Sequence, residues 1–183
     1  MRIINADQTV SNNYFERLAG SSNRSALAVM DAQANPPLSG YAPVVNATIS
    51  RNTFVDVAKI SFGVGHDEAK GIVVAASNSH FSGNLIVNRT SKNPPNAASS
   101  LAGIAFSNNV QSPQASSVFP GGVSSASIAL QQAASGLWVP ATPLPTIGAD
   151  PALAMTPREQ TGVDWYPKVG EVALSRTSTG VDR

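Results

Sequence analysis

The chain of 183 residues has no cysteine. That excludes disulfide staples and thiolate metal sites and leaves the compartment open. Charge is scarce: Asp, Glu, Lys and Arg make up 13% of the residues and the formal net charge is +1. Neither a basic field for nucleic acid nor an acidic tail is therefore present. Aromatic residues are only 6%. An interior poor in large rings and rich in Ala, Ser, Val and Asn suits narrow, closely stacked layers better than a globular core. No run approaches the roughly 20 apolar residues that span a bilayer, so no membrane contact is expected. Asn5, Asp7, Gln8 and Asn12 interrupt any apolar stretch after Arg2, so the N-terminus does not read as a signal peptide. A secreted or periplasmic parent would carry its signal upstream. The length suits one domain able to bury a core.

Against these absences stands a phrase that returns in altered form. It reads Val10-Ser11-Asn12-Asn13-Tyr14-Phe15, Ile49-Ser50-Arg51-Asn52-Thr53-Phe54, Phe81-Ser82-Gly83-Asn84-Leu85-Ile86 and Phe106-Ser107-Asn108-Asn109-Val110. Each copy begins apolar, Ser, any residue, Asn, any residue, and the first three then close on an apolar residue. Successive Asn residues are 39, 32 and 25 positions apart. A helical repeat would hold its period far better, whereas a β-solenoid tolerates loops of any length at the corners of its rungs. The Asn positions are expected where strands turn, because Asn tolerates left-handed backbone angles. Stacked Asn side chains can also hydrogen-bond from rung to rung.

Ala42 to Ile49 and Ile72 to Ala76 are β-branched and partly alternating, and read as strands. Asn12 to Leu18 fits a strand better than a capped turn. Ser125 to Ala134 is the best helix candidate. Excursions are expected at Ala19 to Asn23, Asp31 to Gly40, Lys92 to Ser100 and Gln111 to Ser125. From Pro140 onward repeated prolines break any regular ladder. The expected organisation is therefore rungs over 1–139 and a Pro-rich closing segment over 140–183, packed on the last rungs.

Residues Arg2-Ile3-Ile4 through Asn13-Tyr14-Phe15-Glu16-Arg17-Leu18, Gly20 and Arg24-Ser25-Ala26-Leu27 resemble the polysaccharide lyase family that holds alginate lyases and chondroitinase B. Asn35-Pro36-Pro37-Leu38-Ser39-Gly40-Tyr41, Val44 to Ala47 and Asn52-Thr53-Phe54-Val55 continue the likeness. Thr156 to Trp165 is similar to that family's closing segment. The resemblance implies an all-β, right-handed parallel β-helix, here truncated on its N-terminal side. It implies cleavage of a polyuronate, alginate first, by β-elimination. In that reaction one group neutralises a uronate carboxylate and another removes the neighbouring C5 proton. In the family a calcium ion held by Asn and Glu does the first, and a Lys with an Arg does the second. The motifs that bear them have no counterpart here. No catalytic residue and no metal ligand is therefore assigned to this chain, and calcium is expected only in a full-length parent.

What the resemblance does carry over is substrate contact. Arg2 matches a carboxylate-binding arginine, whose planar fork accepts a carboxylate on two donors. Arg24 is a second such arm, and Tyr41 matches a sugar-facing tyrosine. The plainer readings are a solvated terminal charge for Arg2, a loop anchor for Arg24 and corner packing for Tyr41. His66, Asp67, Glu68 and Lys70 form the densest ionisable cluster. Adjacent strand residues face opposite ways, so the cluster reads as an exposed turn after Gly63-Val64-Gly65 rather than a metal or acid–base site. Those glycines lack the rest of a dinucleotide motif. His80 reads as a hydrogen-bonded corner residue. Trp138 and Trp165 read as covers for the core.

Two functions remain open at this point. One is the C-terminal part of a polyuronate lyase, contributing to a sugar-binding groove. The other is a non-catalytic β-helix of the adhesin, spike or glycan-binding kind, since solenoids host many functions. The expected partner is an acidic polysaccharide. A cut rung also leaves unpaired strand edges, so self-association through the N-terminal rung is expected.

Overall fold

The computed structural model describes residues 1–18, 25–89, 96–97, 99, 101–112, 121–134 and 136–149. They wind through rungs of three short strands. The first rung holds β1 (Arg2–Ile3), β2 (Thr9–Ser11) and β3 (Tyr14–Glu16), and the second β4 (Leu27–Met30), β5 (Thr48–Ser50) and β6 (Thr53–Val55). The third holds β7 (Ile60–Val64), β8 (Ser79–Ser82) and β9 (Leu85–Val87), and the fourth β10 (Asn96–Ala97), β11 (Ile104–Ser107) and β12 (Asn109–Ser112). A further strand, β13 (Val123–Ser125), continues the stack. Like strands pair in parallel, giving three sheets: β1-β4-β7-β10, β2-β5-β8-β11 and β3-β6-β9-β12-β13. This is a parallel β-helix. An antiparallel hairpin of β14 (Leu130–Gln132) and β15 (Trp138–Pro140) follows it.

The Ser-x-Asn phrase forms the corner between the second and third sheets, and its variable x and its constant Asn divide the work. The middle residue takes the left-handed backbone, with φ of 57° at Asn12, 51° at Arg51, 61° at Gly83 and 51° at Asn108. The Asn after it makes the ladder instead, which corrects the expectation that this Asn itself supplies the left-handed turn. The Asn13 N–H and Nδ2 both donate to Asn52 Oδ1, at 3.0 and 2.9 Å. Asn84 donates to Asn109 Oδ1 in the same way, at 2.9 and 3.0 Å. The other amide protons of Asn52, Asn84 and Asn109 go to the carbonyls of Val10, Ile49 and Phe81. Burying these polar groups is tolerable only because they are so fully bonded.

Inside the rungs, alternate residues point inward. Five of the six phenylalanines collect there. Phe54, Phe62 and Phe81 are buried, with Phe15 and Phe106 against them. Phe15 and Phe54 stack across neighbouring rungs with centroids 4.7 Å apart, while Phe62 meets Phe81 and Phe106 edge-on. The narrow core thus rests on phenylalanine as well as on small side chains.

Several sequence expectations change. The segment 125–134 is not a helix: Ala126 N–H donates to Gln111 O and Ile128 N–H to Ser112 Oγ, so the donors reach a neighbouring rung rather than the preceding turn. The strand expected over 42–49 shrinks to β5 plus single bridges at Val45. Pro43 lacks a donor, and Asn46 turns left-handed at φ 58°. Ile72 and Val74 make only isolated antiparallel bridges, to Asp67 and Ala32. Asn96–Ala97, expected in an excursion, pairs with β7. His80 lies within β8, not at a corner. Among the described residues no helix is long and apolar enough to cross a membrane.

Candidate functional site

Arg2 and Ile3 alternate in β1, so Ile3 is buried and Arg2 points outward. The chain then turns at Asn5 (φ 67°). The Asn5 N–H donates to Ala42 O at 3.3 Å and the Asp7 N–H to Val45 O at 2.8 Å. Those bonds draw the start of the next rung's second-sheet strand under the first turn. In the loop before it, a turn closed by Gly40 N–H to Pro37 O (2.8 Å) presents Tyr41. Arg2 Nη1 consequently donates to Tyr41 Oη at 3.1 Å, 39 residues away in sequence. Because the hydroxyl accepts from Arg2, its own proton remains available to a ligand oxygen. Both side chains are exposed.

Tyr41 also lines a cavity of about 250 Å³, together with Asp31, Gln33, Ser39, Lys70 and Ile72. All these residues come from connections between the first and second sheets, the corner where loop length varies. The Asp31 side chain is fully enclosed. Its Oδ2 lies 2.9 Å from His66 Nδ1, and its Oδ1 accepts from Ser99 Oγ at 3.1 Å. Gly63 permits this approach. It sits at φ 69° where the register between β4 and β7 slips, and a Cβ there would fall 1.9 Å from Ser99 Oγ.

The ionisable cluster forms an exposed turn, as its spacing predicted. Glu68–Lys70 is a single 3₁₀ turn, capped by the Asp67 side chain and closed by left-handed Gly71. Lys70 Nζ meets Asp67 Oδ2 at 2.6 Å. That contact raises the lysine's pKa and lowers the aspartate's. The turn lies in water, so the pair contributes little to stability. His66 differs from its neighbours, being held by Asp31 instead. Among the described residues no three acidic or imidazole side chains converge on a metal position.

Comparison with known proteins gives this geometry a family. The family described as chondroitinase B matches residues 1–149. The chain belongs to that family. Among solved structures it is similar to the PL6 family alginate lyase AlyGC, at 35% identity and a TM-score of 0.81 over 92% of this chain. It is equally similar to an arginine-to-alanine mutant of that lyase, at 36% identity and 0.82 over the same share. The chain spans 23% of the length of each of those lyase chains. No curated protein matches it.

In this chondroitinase B family chain, the structure brings Arg2 and Tyr41 together, while Arg24 lies outside the described residues. Thr156 to Trp165, similar to the family's closing segment, also lies outside them. A second polar network ties the β14–β15 hairpin to the third sheet. Arg89 binds Asp56 through its backbone N–H (2.6 Å), Nε (2.8 Å) and Nη2, and its guanidinium lies 4.2 Å over the Trp138 ring. Burial pushes the Asp56 carboxyl up, but the Arg89 bonds outweigh it and hold it below its ordinary value. The Trp138 N–H donates to Tyr14 Oη (3.1 Å), which itself donates to Glu16 Oε2 (3.1 Å). Sequence reasoning missed Asp31, Gln33 and Ser99. No motif marks them, since Ser99 and Asp31 meet across 68 residues.

Proposed function

We propose that this chain forms part of the sugar-binding groove of a polyuronate lyase acting on alginate or a related acidic polysaccharide by β-elimination. The Arg2–Tyr41 contact carries the reading. It unites two residues that the family resemblance marks independently, and it leaves guanidinium donors and a hydroxyl proton facing solvent. An exposed arginine fork can take a uronate carboxylate on two parallel bonds, drawing off charge that would otherwise oppose loss of the C5 proton. The tyrosine ring offers a face to sugar carbons and its hydroxyl a donor to a sugar oxygen. The proton-removing base and any calcium ion belong, in this proposal, to the remainder of a longer enzyme, since the chain covers 23% of its structural relatives. A polysaccharide substrate outside the cell also makes the parent enzyme secreted or periplasmic. The outer edges of β1, β2 and β3 end their sheets, so the isolated chain is proposed to self-associate through them.

The test is calorimetric titration of the 183-residue chain with an alginate oligosaccharide. Arg2→Ala is expected to weaken binding roughly tenfold, as loss of a hydrogen bond to a charged group does, and Tyr41→Phe a few-fold. Unchanged affinity in Arg2→Ala, or no binding by the parent, overturns the reading. The chain alone is expected to give no rise in unsaturated-uronate absorbance. A rise would place a base within it.

A further inference from the structure

Arg51 is the exception among the four copies of the phrase. Two of the four copies of the phrase place Asn in the left-handed middle position and one places Gly, residues that adopt it readily. The second copy places Arg, for which the turn itself gives no reason. Backbone held in a sparsely populated region is a pointer to function. Of the described arginines, Arg17 pairs with Glu16, Arg89 with Asp56, and Arg2 bonds Tyr41. The Arg51 side chain has no hydrogen-bond or ion-pair partner among the described residues.

Beside Arg51 opens a cavity of about 190 Å³ whose walls include Gln131, Pro140, Pro143, Leu144 and Pro145. No carboxylate lines it. The Gln131 amide, like the guanidinium, has no side-chain partner among the described residues. The cavity lies at the corner between the second and third sheets, whereas Arg2 lies in the first. It is smaller than the roughly 300–1,000 Å³ typical of drug-sized ligands, which suits a single ring.

We propose that Arg51 and this cavity form a second contact for an acidic polysaccharide, binding one uronate unit apart from Arg2 and Tyr41. Three features of a uronate answer three features of the site. Its carboxylate suits the arginine fork, its hydroxyls suit the Gln131 amide, and its C–H face suits the proline and leucine wall. A neutral sugar leaves the guanidinium unmatched, and a fatty acid leaves the amide unmatched. The proposal rests on the reading of an acidic polysaccharide as ligand. Its consequence is a chain held at two places on one molecule, which raises effective affinity when the span between sites is matched.

The experiment follows backbone amide NMR shifts of the full chain, and of its Arg2→Ala and Arg51→Asn variants, during titration with a uronate oligosaccharide. Arg51→Asn installs the residue that two other corners already use, so the variant is expected to melt no lower than the parent. The parent is expected to show two sets of shifted amides, one around Arg2 and Tyr41 and one around Arg51 and Gln131. Arg51→Asn should weaken the second set roughly tenfold and spare the first. Shifts confined to the Arg2 set, unchanged by Arg51→Asn, overturn the second contact and keep the proposed function. Shifts confined to the Arg51 set keep the second contact and overturn the Arg2 groove. No shifts at all overturn both. Equal shifts at Arg51 and Gln131 with a neutral oligosaccharide of the same length overturn the assignment of a carboxylate.

Discussion

The side chains of Asn52 and Asn84 touch across 32 residues of sequence: Asn52 Nδ2 and the Asn52 backbone N–H both donate to Asn84 Oδ1, at 3.0 and 2.9 Å. Both residues are fully buried. Asn84→Ala therefore strands the two Asn52 donors and takes a bond from the Ile49 carbonyl, while the backbone N–H of residue 84 still reaches Asn109 Oδ1. Each buried orphan costs about 1–3 kcal/mol, so the expected loss is about 4 kcal/mol or more. Asn13→Ala, at the partly exposed end of the ladder, should cost about 1 kcal/mol. Urea unfolding compares the two, and equal losses would contradict the ladder's hierarchy.

Gly63→Ala should be costly for two separable reasons. The left-handed φ of 69° strains any side chain, by about 1–3 kcal/mol, and the new methyl collides with Ser99. The collision is relieved in part by Ser99→Gly, so the double variant should melt higher than the sum of the single losses predicts. Strict additivity in thermal unfolding would show that the two residues do not meet.

Tyr14 links alkaline stability to the β14–β15 hairpin. Burial, above all, pushes its hydroxyl from 10.0 to about 12. A folded value above the unfolded one means that this contribution is whole below about pH 10 and declines as pH rises through about 12. Tyr14→Phe should therefore flatten the fall in melting temperature over that window. Its neutral-pH cost should be about 1 kcal/mol, from the lost Trp138 bond. An identical alkaline profile in the variant would assign the transition to another group.

Self-association is expected to depend on concentration and on the first-rung edges. Sedimentation velocity across a wide concentration range checks it. A clean monomer throughout would show that those edges are protected.

Much of the scaffold was legible because one short phrase both turns and bonds. Ser-x-Asn needs neither alignment nor long-range knowledge to be noticed, and its spacing of 39, 32 and 25 residues is the spacing of the ladder bonds. Single residues were harder. Whether the x residue or the constant Asn carries the left-handed backbone depends on which amide reaches the next rung, and that contact is tertiary. The segment 125–134 has helical composition, yet its donors find Gln111 and Ser112 first. Of the site, Arg2 and Tyr41 were marked by the family phrases around them. Asp31 and Ser99 were not, because an aspartate at the end of an apolar strand looks like the beginning of a loop until Ser99, 68 residues on, folds back over it.

The ladder counts turns without measuring chain. Its bonds are indifferent to whether 39 or 25 residues separate two asparagines. The corner between the second and third sheets stays tight, while Tyr41, Lys70 and Ser99 all hang from the looser corner between the first and second. Insertions and deletions there can reshape what the surface grips and leave each amide of the stack in place. Surface shape and foldability are mutable along different stretches of the same chain, so the loops can change while the stack keeps its fold.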